Sequence, residues 1–136
     1  MSAEVSQELL NSYYTAFNAG NREAFLATLT DDVVHDINQG QREVGREAFR
    51  QFITRMDRCY REQIADIVVM PSADGRRAAV EFTVLGTYLG TDDALPAAKG
   101  QKYRLPGGAF FGIRDGKVAR VTNYYNLRDW LKQVSA

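Results

Sequence analysis

The sequence has little of what metal, disulfide and membrane chemistry require. It contains one cysteine and one histidine in 136 residues. Cys59 alone closes no internal disulfide, and with His35 it falls short of a zinc ligand set, so no metal and no other cofactor is expected. No local signature activates Cys59 as a thiolate, and it reads as a packing residue near a helix end. Neither sign of charge is in excess, because 17 Lys and Arg balance 17 Asp and Glu. Without a net field, phosphate backbones and anionic lipid surfaces are poor partners. Apolar runs stop well short of a bilayer span. The stretch Met1 to Glu8 has neither the basic start nor the apolar segment of a secretory signal. The expectations are therefore no nucleic acid, no membrane and a reducing, cytoplasmic home.

What remains is an ordinary globular composition, 45% hydrophobic and 25% charged, which fits one domain over residues 1–136 with a single core. The first third has helical spacing. Val5, Leu9/Leu10, Tyr13 and Phe17 recur on one face, and Gly20 suits the left-handed position that ends a helix. Asn21 caps a second helix whose apolar face is Ala24, Phe25, Thr28 and Leu29, and Arg46 to Arg58 forms a third with Phe49, Phe52/Ile53 and Met56 as its stripe. Val33 to Ile37 is short and β-branched, hence a strand. The second half alternates. Gln63 to Met70 and Arg77 to Leu89 flank Asp74-Gly75, and Ala109 to Arg114 and Lys117 to Tyr125 flank Asp115-Gly116, two hairpin signals. Val80, Phe82 and Val84 share one face, with Glu81 on the other, solvent or partner side. Pro106-Gly107-Gly108 predicts a bulge or bend. Asn126 caps a final helix carrying Trp130 and Val134.

Helices followed by an antiparallel meander predict an α+β fold: a curved, mostly antiparallel, four-stranded sheet wrapped around the N-terminal helices as a cone-shaped roll. Such a cone is hollow and open at one end, a shape suited to a small, partly apolar ligand. Residue types that move protons are grouped in the first third of the sequence. The cluster Asp31-Asp32-Val33-Val34-His35-Asp36 follows the tyrosine pair Tyr13-Tyr14 by one helical segment. Side chains alternate across a strand, so only one of His35 and Asp36 faces inward.

Tyr13 to Gly20, the Asp-Asp-Val-Val-His-Asp segment, Gly45-Arg46-Glu47-Ala48-Phe49, Val80 to Val84, and Phe110 to Val118 ending in Asn123-Tyr124-Tyr125 keep an order and spacing that resemble a known family. It is the nuclear transport factor 2-like superfamily, in its ketosteroid isomerase-like and polyketide cyclase-like branch, and the resemblance spans nearly the whole chain. It implies the cystatin-like α+β roll and a homodimer formed through the sheet. By the same resemblance Tyr13 is the donor to a substrate carbonyl and Asp36 the base, with His35 as the alternative. Asn123 supplies a second donor, standing in for a carboxylic acid whose place falls near Ala109. Tyr14, Phe82, Val84, Phe111 and Tyr125 form the substrate-binding wall. The implied function is cofactor-independent acid/base chemistry on a small hydrophobic carbonyl compound, of isomerase, cyclase or dehydratase type. The missing acid keeps open a second function, a non-catalytic binder of a small hydrophobic molecule. A third is a structural module with a filled cavity.

Overall fold

The computed structural model describes residues 2–135; Met1 and Ala136, the two ends of the expected domain, lie outside them. Helix α1, Ala3–Ala19, starts at Ser2, whose side chain accepts a hydrogen bond from the Val5 amide, and stops at Gly20 with φ 71°. Its buried face is Leu10, Tyr13, Tyr14 and Ala16. Helix α2 (Arg22–Ala27) is capped by Asn21, and α3 (Arg46–Cys59) buries Phe49 and Ile53. Helix α4 (Leu127–Val134) is capped by Asn126 and buries Trp130 and Val134.

The strands are β1 (Leu29–Asp36), β2 (Arg42–Val44), β3 (Tyr60–Pro71), β4 (Arg77–Tyr88), β5 (Lys102–Arg114) and β6 (Lys117–Tyr125). The sheet has six strands rather than four, in the order β2-β1-β6-β5-β4-β3. The extra width comes from β1, which joins β6 in parallel, and from β2, which pairs back on β1. Three residues are enough for β2 because β1 already presents a free edge beside it.

Both Asp-Gly hairpins form. At Asp115-Gly116 both residues have positive φ, 53° and 72°, the twist that matches a two-residue hairpin. The sheet curls at irregularities elsewhere. Register shifts occur between Ala65 and Val68 in β3, with Asp66 at φ 54°, and between Gly112 and Ile113 in β5. Pro106-Gly107-Gly108 is not a bulge: β4 and β5 pair without interruption from Arg77–Gly112 to Thr87–Lys102. Gly107 serves close packing instead, since a Cβ there would sit 2.6 Å from the Phe82 ring.

Two amides fasten helices to the sheet by imitating a strand. The Asn18 side chain donates to the Ile64 carbonyl at 2.9 Å and accepts from the Ile64 amide at 2.8 Å, so the end of α1 satisfies the edge of β3. Gln133 on α4 does the same at Arg104, accepting at 2.8 Å and donating at 2.9 Å. The core lies between the helices and the concave face of the sheet, and it does not fill that space.

Candidate active site

The unfilled part is a cavity of about 600 Å³, within the range of small-molecule pockets. Phe17, Phe52, Met56, Phe82, Val84 and Leu105 give it a largely apolar wall. Its polar groups come from every layer: Tyr13 and Tyr14 on α1, His35 on β1, Asn123 and Tyr125 on β6, Tyr60 and Glu62 on β3. Asp92 and Asp93, in the connection between β4 and β5, border it as well.

Burial distinguishes the two members of the His-Asp pair. Val33 and His35 are buried, and His35 is only 4% exposed. Its imidazole stacks on Phe49 (centroids 4.4 Å, interplanar angle 19°) and meets the edge of Phe52 at 4.6 Å. This apolar shell disfavours the charged form and holds the pKa of His35 down to about 4, against a smaller upward pull from the Asp36 charge. Nδ1 of His35 is buried without a hydrogen-bond partner among the described residues. Asp36, the family's candidate base, lies on the opposite parity. Its carboxylate takes two bonds from Arg42, at 2.6 and 3.1 Å, and these hold its pKa below the usual carboxylate value. Asp36 also borders the cavity, with its neighbours Ile37 and Asn38.

The tyrosine pair is packed as one aromatic unit. Tyr13 and Tyr14 meet edge to face at 4.9 Å, Tyr13 lies against Phe25 at 4.6 Å, and both rest on Phe111. Burial pushes both phenols well above their ordinary pKa, so each keeps its proton and can only donate to an oxyanion. The Tyr14 hydroxyl is buried and has no partner among the described residues. Two orphaned polar atoms, Tyr14 Oη and His35 Nδ1, thus belong to residues lining one apolar cavity.

The other expected positions divide. Asn123 is half-buried on the wall and pairs with Ala109 across β5 and β6. It sits beside the place where the resemblance puts an acid and this chain has a small buried alanine. Phe82 and Val84 line the cavity, while Tyr125, 38% exposed, stands at its rim. Phe111 is a correction. It is fully buried behind Tyr13 and Tyr14, outside the cavity lining, and acts as their support rather than as wall.

The strand that begins earlier than its sequence pattern suggests brings in a group missed above. In β3 the inward positions are Tyr60, Glu62 and Ile64. The Tyr103 hydroxyl donates to Glu62 Oε2 at 2.5 Å, and the Tyr60 hydroxyl donates to Asp92 Oδ2 at 2.7 Å. Burial raises the pKa of Glu62, opposed by the Tyr103 bond. Alternation carried back from Ile64 is the one signal that places Glu62 inside.

Among the described residues no three or more His, Cys, Asp or Glu side chains gather where they could hold a metal ion. Among the described residues no helix is long and apolar enough to cross a membrane.

No curated protein matches the chain. Several solved structures do. A crystal structure from Pseudomonas putida KT2440, described as a "putative polyketide cyclase", is 63% identical, with a TM-score of 0.93 over 95% of this chain and 97% of that one. A second protein of the same description, from Silicibacter sp. TM1040, is 48% identical, with a TM-score of 0.95 over 100% and 99%. A "putative ketosteroid isomerase" from Kribbella flavida is 26% identical, with a TM-score of 0.66 over 91% and 79%. Residues 10–121 match the family described as the SnoaL-like domain. A protein described as NTF2-like from Burkholderia xenovorans LB400, 14% identical with a TM-score of 0.77 over 98% of each chain, shares the fold, and the chain belongs to the SnoaL-like domain family.

Proposed function

We propose that this chain is a cofactor-independent acid/base enzyme acting on a small, largely apolar carbonyl compound. His35 carries the proton, and Tyr14 with Tyr13 donates to the carbonyl oxygen. The observation that carries this reading is the pair of unpartnered buried atoms, Tyr14 Oη and His35 Nδ1, on two residues that line one cavity. Each costs the empty protein about 1–3 kcal/mol, a cost that a ligand with matching oxygen functions removes.

The chemistry balances with these groups alone. Neutral His35 removes a proton from the carbon beside the carbonyl and becomes imidazolium. The electron pair moves onto the carbonyl oxygen, where the tyrosine hydroxyls, with Asn123 nearby, stabilise the enolate. His35 then returns the proton, either to another carbon of the same molecule or to the alkoxide formed when the enolate attacks a second carbonyl. Asp36, held ionised by Arg42, adds a negative charge next to the imidazolium and favours its formation. The names of the bacterial relatives, cyclase and isomerase, are two outcomes of this one enolate.

A non-catalytic hydrophobic-ligand binder is the second reading, favoured by Ala109 where the resemblance calls for an acid. The exposed side chains of Leu85, Phe110 and Tyr124 on the outer sheet face suit a homodimer, and a lone cysteine suits the cytoplasm.

The deciding experiment titrates the His35 ring signal by NMR with an equilenin-type naphthol, then measures turnover of β-dicarbonyl substrates by wild type and His35→Gln. A ligand-dependent shift that weakens in Tyr14→Phe supports the site. Turnover that survives His35→Gln unchanged removes His35 as the base, and a shift with no turnover of any substrate leaves the binding reading.

A further inference from the structure

The cavity has a second polar end. On the concave face, His35 pairs with Val121, which pairs with Phe111 of β5, whereas Glu62 pairs with Gly86, which pairs with Tyr103 of β5. From Phe111 to Tyr103 is about 27 Å of strand contour, so the two titratable groups sit at opposite ends of one curved wall. Both nonetheless line the same cavity.

Glu62 is held in place by design of the sheet. Its strand and that of Tyr103 are separated by β4, and the phenol spans the gap by lying across Gly86. A Cβ on Gly86 would sit 2.1 Å from Tyr103 Cζ and 2.5 Å from its hydroxyl. The bond occupies Oε2 of Glu62 and leaves Oε1 without a side-chain partner among the described residues. Among the described residues no Lys, Arg or His forms an ion pair with the carboxyl. The groups that face it are Tyr103 on β5 and Tyr125 on β6, with Asp92 beyond on the Tyr60 hydroxyl.

Resting on the function proposed above, we infer that Glu62 is a second ligand contact, whose carboxyl donates from Oε1 to a carbonyl oxygen at the end of the ligand remote from His35. The ligand class follows: an elongated, mainly apolar molecule with an oxygen function at each end, one met by Tyr14 and His35, the other by Glu62. Burial pushes the Glu62 carboxyl towards its neutral, donor form while it pushes His35 towards its neutral, acceptor form. Environments that separate two titratable groups in this way mark an acid and a base.

The test compares two probes, an equilenin-type naphthol with its ring ketone and the same naphthol without it. Affinities come from calorimetry, and the His35 ring signal reports occupancy of the first end. Wild type is expected to bind the ketone about tenfold more tightly, the scale of one hydrogen bond. Glu62→Gln, whose amide can accept from Tyr103 and donate to the ketone, keeps that preference. Glu62→Leu loses it, so that the two probes then bind with equal affinity. A preference that survives in Glu62→Leu, or disappears in Glu62→Gln, overturns the donor role. Equal wild-type affinity for both probes, with the His35 signal moving, overturns this inference and leaves the first site standing. If neither probe binds or moves His35, both fail together.

Discussion

The hydroxyl of Tyr103 lies over Gly86 and donates to the carboxyl of Glu62 at 2.5 Å, joining β5 to β3 across the strand between them. The ring needs the space where a side chain at position 86 would stand. Gly86→Ala is therefore expected to destabilise the protein by about 1–3 kcal/mol through overpacking, and to displace Glu62. Tyr103→Ala costs stability on its own by emptying a buried site, but with the ring gone the Gly86→Ala penalty should largely vanish. A double-mutant cycle by urea denaturation checks this. Additive effects of the two substitutions would show that the ring does not depend on Gly86.

Tyr14 carries the opposite kind of prediction, in which stability and function part. Its hydroxyl is buried and unpartnered, so removing it removes a desolvated group rather than a bond. Tyr14→Phe should unfold at equal or higher urea concentration, with a gain of up to about 1 kcal/mol. Its affinity for a naphthol probe should fall by about tenfold. Tyr14→Phe that is both less stable and unaltered in binding would mean that the hydroxyl has a protein partner and no ligand role.

The outer face of the sheet makes a separate claim. Phe110 and Tyr124 pack edge to face at 5.7 Å while remaining 46% and 49% exposed. In line with Phe110 across β4 lies Met70, also half exposed, and such an apolar surface is of the kind that docks a partner. Wild type is expected to sediment at twice the chain mass and Phe110→Asp at the chain mass, with unchanged circular dichroism. A monomeric wild type at micromolar concentration would end the homodimer proposal.

Local pattern was legible in the sequence and long-range pairing was not. Caps at Asn21 and Asn126, the stop at Gly20 and the two Asp-Gly hairpins each depend on residues within a few positions, and all form. The inward face of β4 followed from alternation alone. The width of the sheet depended on the parallel pairing of β1 with β6, which joins residues far apart in the chain and leaves no local trace. Pro106-Gly107-Gly108 looked like a bend because glycine has several uses. Here Gly107 makes room for Phe82 in a straight ladder. Parity required one of His35 and Asp36 to face inward but could not choose, since the pattern fits either register. The choice was made by Phe49 and Phe52 on a helix that follows. Glu62 was hidden by its charge, because an acidic residue at the start of an edge strand reads as solvated until Tyr103, 41 positions away, is seen to cover it.

The burial of His35 gives the molecule a pH dependence whose sign can be worked out. The imidazole accepts its proton at about 4 in the folded protein, against 6.5 for the free side chain, because Phe49 and Phe52 leave the cation poorly solvated. Between these values the unfolded chain binds a proton that the folded chain refuses, so stability rises with pH across this window and is fully present above it. The contribution is up to about 3 kcal/mol. Asp32, Asp36 and Asp74 have pKa values held low by their partners, and their losses begin at more acid pH. His35→Phe keeps the stacked ring and removes the titration. It should lose less stability than wild type between pH 7 and pH 4.5, as read from urea midpoints, and the two curves should run parallel above pH 7. The wild-type ring signal should titrate near pH 4 in the free protein and at higher pH when an enolate-like naphthol occupies the cavity, since an oxyanion favours the imidazolium. A free-protein midpoint near 6.5 would mean that the imidazole is solvated, and the cavity would lose the neutral base on which the proposed proton transfer depends.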